Sequence, residues 1–306
     1  MKERSDFAIG IDWGSNTLRA VKRACAENAF VAEYERIVRT ADGLAETGRI
    51  SPEAVERVAA ALDEANAQIG FENARLRAVT TEALRRASNA REVLSGIEER
   101  TGIAFDVIDG AEEARLTLKA VRNRLKILGK ESESFALVDI GGGSTELIYR
   151  VGERMRSRSF PLGIVTLSQE GASLSGVERL LPERLEPLKH FIRETEAELG
   201  PVKELVATAG TPTTVAAMKQ GMEYADYDAR RINGTILERG ELSFWLKRLL
   251  AMRREERERA VGVGREDLIA AGILIFEGIF EVTGFDHCIV IDDGLREGVA
   301  IELCER

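Results

Sequence analysis

Short apolar runs alternate with longer amphipathic ones along the whole chain. Phe7 to Asp12 (FAIGID) predicts a buried strand, and Thr17 to Lys22 and Phe30 to Val38 predict strands beside it. Ser51-Pro52 reads as a helix start, a capping hydroxyl followed by proline at the first helical position, and the Ala-rich run behind it predicts a helix to about Ile69. A strand over 76–79, a helix over 89–100 that stops at Gly102, a strand over 105–108 and a long helix from Ala111 to about Leu128 follow. The same order then returns. Strands are predicted over 134–139, 146–150 and 155–160, a helix over 178–199 and a strand over 204–208. Further helices are predicted near Pro212, Glu241 and Glu266, then a strand over 288–291 and a closing helix over 295–304.

The repeat is visible in residues as well as in elements. With Asp12 set against Asp139, Gly14 meets Gly141, Thr17 meets Ser144 and Arg19 meets Glu146. Each copy is strand, aspartate, a glycine-containing turn, a hydroxyl, then strand, which points to internal duplication. Two α/β domains are expected, 1–128 and 129–306, and the closing helix could pack back on the first.

Composition narrows the class. With 306 residues, 44% of them hydrophobic and 31% charged, the chain reads as a soluble globular protein. The most apolar late segment, LIAAGILIF, meets Glu277 well short of the ~18 residues a membrane helix needs, so no membrane is expected. The N-terminal stretch MKERSDFAIGID has basic residues but no apolar core of signal-peptide length, so export is not expected. Cys25, Cys288 and Cys304 are odd in number and scattered. They suggest neither a disulfide framework nor a zinc site, so a reducing cytoplasm is the expected setting. A net charge of −9 argues against broad nucleic-acid or anionic-membrane binding, while leaving room for a local cationic pocket.

Glycine weakens a strand, so the row Gly141, Gly142, Gly143 between two strands suggests that something approaches the backbone. Tight turns of small residues gather N–H groups that bind anions, and hydroxyls add donors. Gly141 to Thr145 offers one such turn, and Gly14, Ser15, Asn16 and Thr17 the other. Asp139 and Glu146 stand at the strand ends of the second hairpin, where hard oxygen ligands suit Mg²⁺ bridging to phosphate.

Three other stretches carry candidate chemistry. In TTEALRRASN, Arg85 and Arg86 open a strand-to-helix loop, and arginine forks suit phosphate oxygens, although a solvated helix face is the ordinary fate of such residues. In IDGAEEARLTLKA, Glu112 and Glu113 begin a helix. The residues alone favour a dipole-capping role over water activation. Behind them Arg115, Lys119, Arg122, Arg124, Lys126 and Lys130 have no acidic residue among them, which makes either a landing strip for a polyanion or a solvated basic face. In VATAGTPTTVAAM, Gly210 and Thr211 open a helix whose N-terminus can receive an anion. A weaker stretch, IDDGLREGVAIEL, closes the fold or touches ligand. His190 and His287 assemble no catalytic or metal constellation, and RREERER over 253–259 reads as a solvated helix.

Taken together, DWGSNTLR, TEALRRASN, DGAEEARL, DIGGGSTEL, FPLGIVTL, ATAGTPTT and DDGLREG, in that order, resemble the exopolyphosphatase and guanosine pentaphosphate phosphohydrolase (Ppx/GppA) family. The resemblance implies an α/β fold of two duplicated actin-like, ribonuclease H-like domains around a central cleft, the superfold of sugar kinases, heat-shock ATPases and actin. It implies removal of terminal phosphate from polyphosphate, or conversion of guanosine pentaphosphate to tetraphosphate, with Mg²⁺ or else Mn²⁺. By the same resemblance Glu113 is the catalytic carboxylate, which reverses the capping preference above. Asp139 and Glu146 are the metal ligands. Arg85, Ser15, Asn16, Thr17 and Arg19 meet phosphate, as do Gly141, Gly142, Gly143 and Ser144 in the second loop. Trp13 and Pro212 depart from the family pattern. Longer members carry further C-terminal helical domains that extend the polyphosphate path, so chain-length preference and processivity are left open. No nucleic-acid or membrane partner is expected, and a homodimer is left open. Two other readings stay open, a kinase or ATPase of the same superfold and a non-catalytic nucleotide or alarmone sensor.

Overall fold

The computed structural model describes residues 6–306, so Lys2 and Arg4 of the N-terminal stretch lie outside the described residues. The chain forms two compact units. One holds the described residues up to Ala120 together with Gly294–Arg306, and the other Val121–Asp293. The division falls inside a helix rather than at residue 128, and the last helix belongs to the first unit.

In the first unit, β1 (Phe7–Trp13), β2 (Thr17–Ala24) and β3 (Ala29–Ile37) make an antiparallel meander. β4 (Ala74–Thr80) and β5 (Phe105–Val107) lie parallel to β1, giving the order β3-β2-β1-β4-β5. The Pro52–Ile69 helix provides the crossover, capped by Ser51, whose hydroxyl accepts from Ala54 N at 3.2 Å. In the second unit β6 (Ser134–Ile140), β7 (Thr145–Val151) and β8 (Arg154–Phe160) repeat the meander. β9 (Leu205–Thr208) lies parallel to β6, β11 (His287–Val290) lies parallel to β9, and β10 (Thr235–Glu238) adds an antiparallel edge. Both sheets therefore share the ribonuclease H-like plan, a mixed sheet with helices, duplicated as in actin-like proteins.

β10 is absent from the sequence reading because four residues with an exposed Glu238 give too little alternation to see. The helix predicted near Glu266 begins at Ile269 instead. Glu266 is buried in the turn before it, where its carboxylate accepts from Arg254 Nη2 at 3.1 Å. The core of the second unit joins Val138 and Ile140 of β6 and Leu147 and Tyr149 of β7 to Leu185 and Leu188 of the Leu174–Leu199 helix and Phe276 and Phe280 of the Ile269–Thr283 helix.

The closing helix, Leu295–Glu305, lies directly on β1. A Cβ on Gly10 would collide with the Arg296 carbonyl, and one on Gly298 with the Leu116 carbonyl, so glycine is required at both. Leu295 and Val299 join Val79 and Leu116 beneath it. A disulfide joins Cys25, just past β2, to Cys304 in this helix. That corrects the expectation of free, scattered thiols, and it removes the ground on which a reducing compartment was inferred. Cys288 remains a free thiol, buried in β11, and burial pushes its pKa up. Among the described residues no helix is long and apolar enough to cross a membrane.

The Gly110–Ile127 helix is not an open basic strip. Arg115 lies on Glu112, 2.7 Å away, and on Glu302; Lys119 lies on Glu305; and Arg124 forks onto Asp293 at 3.0 Å through both Nε and Nη2. Carboxylates from elsewhere in the fold neutralise half of the run, which local sequence does not show.

Candidate functional site

The second hairpin sets its carboxylates by register. Gly141 N donates to Ser144 O at 2.9 Å, closing a short turn that places Asp139 directly opposite Glu146. Ser159 of β8 lies opposite Glu146 on its other side, and Thr208 of β9 lies beside Asp139. A row Ser159, Glu146, Asp139, Thr208 thus crosses the sheet. Two like charges face to face are unfavourable, and a cation between them relieves the repulsion. Glu146 is only 2% exposed, and its Oε1 accepts from Ser144 Oγ at 2.7 Å and Ser159 Oγ at 2.6 Å.

None of Gly141, Gly142 or Gly143 takes the left-handed backbone, and a Cβ on Gly141 would crowd the Ser144 carbonyl at 3.0 Å. Gly163 sits so close to the turn that a Cβ there would collide with Gly142 and Gly143. The segment from Gly163 binds the turn's carbonyls. Ile164 N donates to Gly141 O at 3.1 Å, Val165 N to Gly142 O at 2.8 Å, and Thr166 Oγ1 to Gly143 O at 3.2 Å. The N–H groups of Gly142, Gly143 and Ser144 meet no acceptor among the described residues. With carbonyls tied and consecutive amides open, the turn is polarised towards an anion.

The first hairpin is polarised in the same way. Gly14 N donates to Thr17 O at 2.9 Å. Asn16 O accepts from Val38 N at 2.8 Å and Arg39 N at 2.9 Å, and Ser15 O accepts from Ala41 N at 2.9 Å. The amides of Ser15 and Asn16 meet no acceptor among the described residues, and Thr17 begins β2 beside them. Trp13, the departure from the family pattern, anchors this turn. Its indole N–H donates to Thr40 Oγ1 at 2.7 Å, its carbonyl accepts from Thr80 Oγ1 at 2.8 Å, and its ring meets Phe105 edge-on at 5.2 Å. Arg19 stands opposite Asp12 and holds Glu35 through Nε at 2.8 Å.

The two glutamates at the start of the Gly110–Ile127 helix part company. Glu112 turns to Arg115 and Arg77, and the hydrogen bond from Arg115 holds its pKa below the usual carboxylate range despite partial burial. Glu113 is 9% exposed, and its Oε2 accepts from Arg85 Nη1 at 3.0 Å. The same Nη1 donates to Ile108 O at 2.7 Å, while Arg85 Nε and Nη2 donate to Glu82 at 3.2 and 3.0 Å. Burial works against the Arg85 charge, but the attraction of Glu113 and the hydrogen bonds to Glu113 and Glu82 outweigh it and keep its pKa above the usual arginine value. Arg85 is therefore committed chiefly to carboxylates of its own unit, where the sequence reading gave it to phosphate. Arg86 is more exposed and 4.0 Å from Glu82.

Gly210 and Thr211 do not form a matched pair of anion donors. Gly210 opens the Gly210–Lys219 helix, but the Thr211 hydroxyl is buried, lacks a hydrogen-bond partner and lies against Gly272. Helix phase sends it into the core. Pro212 is buried in the first turn, where a missing N–H breaks no helix bond. The DDG stretch closes the fold. Asp293 takes Arg124, its carbonyl accepts from Thr208 Oγ1 at 3.1 Å, and Asp292 takes the Tyr227 hydroxyl.

Among the described residues no group of three or more His, Cys, Asp or Glu side chains can hold a metal ion. Asp139 and Glu146 offer two carboxylates. That suits Mg²⁺, which keeps several waters and binds one or two carboxylates plus substrate phosphate, and does not suit a metal that needs an all-protein cage. Sequence reasoning missed Glu82 and Ser159. Glu82 lies beside the arginine pair, and the serine alternation of β8 was the only local sign of Ser159.

The model of the Ppx/GppA phosphatase family matches residues 21–306. Exopolyphosphatase 2 of Mycobacterium tuberculosis is 32% identical, with 96% of this chain and 97% of that protein covered. Exopolyphosphatase 1 of Mycobacterium bovis is 28% identical, with 95% and 86% covered. The crystal structure of the Aquifex aeolicus Ppx/GppA family member superposes with a TM-score of 0.75 at 31% identity, over 97% of this chain and 96% of that one. An exopolyphosphatase from Cytophaga hutchinsonii shares the fold with a TM-score of 0.82 at 22% identity, over 98% of each chain.

Proposed function

The chain belongs to the Ppx/GppA phosphatase family, and on that premise we propose that it removes terminal orthophosphate from inorganic polyphosphate. The observation that carries the reading is the pair of hairpins, each with its carbonyls bound and consecutive amides open. Amides so placed cost no reorganisation when they meet phosphate oxygens, and phosphoryl transfer depends mostly on positioning and charge stabilisation. Asp139 and Glu146 would hold Mg²⁺, which offsets phosphate charge when bound. Arg85 holds Glu113 by one oxygen and so fixes the direction of the carboxylate. Glu113 would orient a water in line with the bond to the leaving phosphate. Guanosine pentaphosphate presents the same terminal phosphoanhydride and is the second substrate to test; the relatives named exopolyphosphatase favour polyphosphate.

The test is phosphate release from short polyphosphate, long polyphosphate and guanosine pentaphosphate, each with and without Mg²⁺ and without ATP. Release from polyphosphate that requires Mg²⁺ is expected. Turnover that needs ATP and an acceptor would point to a kinase, and binding without release to a sensor. Glu113→Gln should lower turnover by about 10²–10⁴-fold while polyphosphate binding stays within a few-fold of wild type. Near-normal release by that variant would remove Glu113 from this role.

A further inference from the structure

Glu146 is gripped from two directions. Ser144 reaches its Oε1 from the turn at 2.7 Å, and Ser159 reaches the same oxygen from β8 at 2.6 Å. Both serine hydroxyls donate to Oε1, as a carboxylate oxygen accepts. We infer that Ser159 is a positioning residue for the metal site: with Ser144 it locks Oε1 of Glu146 and so presents Oε2 as the oxygen that meets the cation shared with Asp139. The inference rests on the reading of Asp139 and Glu146 as Mg²⁺ ligands.

Three observations support it. Ser159, Glu146 and Asp139 are in register across three strands, so Ser159 lies on the same face of the sheet as the carboxylate pair. Glu146 is almost wholly buried, so bulk solvent contributes little donation to it beside the two hydroxyls. β7 and β8 are joined by a ladder from Thr145↔Phe160 to Val151↔Arg154, so the sheet does not depend on the Ser159 side chain. One consequence follows for Ser144. Its single hydroxyl proton is committed to Glu146, so its contact with substrate phosphate would come from its backbone N–H.

The experiment measures Mn²⁺ affinity, by titration calorimetry or by the electron paramagnetic resonance signal of free Mn²⁺, for the full chain and for Ser159→Ala, Ser159→Thr and Glu146→Gln. Partners that orient a metal ligand are worth about 10–100-fold in affinity, so Ser159→Ala should weaken Mn²⁺ by at least ~10-fold. Ser159→Thr keeps the hydroxyl and should restore most of it. Wild-type affinity in Ser159→Ala, with binding lost in Glu146→Gln, would overturn the inference and leave the metal site standing. Weakened affinity that threonine does not restore would also overturn it. Wild-type affinity in Glu146→Gln would overturn the metal reading itself, and this inference with it.

Discussion

Ala209 has φ 73° and ψ −174°, a backbone region that is essentially glycine's alone. It joins β9 to the Gly210–Lys219 helix, so the strain turns the chain sharply at the end of a sheet row that includes Asp139. Such a residue costs about 1–3 kcal/mol in the folded state, whereas glycine gains only about 0.4–1 kcal/mol of freedom in the unfolded chain. The folded-state relief is the larger quantity. Ala209→Gly should therefore stabilise by about 1 kcal/mol, which raises Tm by about 1–2 °C in thermal unfolding of a chain this long. A lower Tm would mean that the Ala209 methyl contributes more packing than its backbone costs. Single residues were legible where their partners are near in sequence. Asp139 and Glu146 belong to one hairpin, and strand alternation alone puts them on one face. Glu113 and Arg85 were each visible, but their pairing spans 28 residues and two elements, so the role of Arg85 as a clamp on Glu113 was not. At Thr211 one residue of helix phase turns the hydroxyl towards the core and Gly272, which the sequence does not show. The glycine row suggested close backbone approach, and the approach seen is that of Gly163 of the same chain, where a Cβ would meet Gly142 and Gly143.

At the scale of elements, the duplicated hairpins keep one register and differ in one charge. Asp12 faces Arg19 in the first, and Asp139 faces Glu146 in the second. The first hairpin carries its own cation across the strand pair, whereas the second carries a second carboxylate, which is why the proposed metal site lies on the second alone. The closing helix is likewise held by charge. Glu302 lies between Arg77 at 3.3 Å, Arg115 and Arg306. Burial alone would raise its pKa, but the hydrogen bond and charge of Arg115, with Arg306 and Lys119, outweigh burial and hold it below the usual value. A carboxylate depressed in the folded state adds stability above its unfolded pKa of about 4.3, and that stability is lost as pH falls through the folded value. Thermal unfolding followed from pH 6 to pH 3 should therefore show Tm falling on the acid side, and Glu302→Gln should make that fall shallower. An acid limb as steep in the variant as in wild type would show that other groups govern it. The repeat made the sheet plan legible, but the return of the last helix to β1 was only suggested, because it depends on the close approach of Gly10 to Arg296 and of Gly298 to Leu116, pairs far apart in sequence.

The whole molecule bears a net charge of −9, while the substrate proposed for it is a polyanion. A run of cations along one helix seemed able to reconcile the two, yet Glu112, Glu302, Glu305 and Asp293 neutralise Arg115, Lys119 and Arg124. On the proposed reading, short-range attraction then falls mainly to the hairpin amides, which are dipoles and act over a few ångströms, and to Mg²⁺ at the proposed site. At longer range the field of the protein repels the incoming chain. That repulsion extends about 30 Å at 0.01 M ionic strength and only about 8 Å at 0.15 M. Raising monovalent salt between these limits, at fixed free Mg²⁺, should therefore lower KM for long polyphosphate, with a smaller change for a short chain that carries less charge. The measurement is initial-rate phosphate release across a salt series for two chain lengths. A KM that rises with salt would mean that exposed cations guide the substrate, and would return Arg122, Lys126 and Lys130, the exposed remainder of the basic run, to consideration as its track.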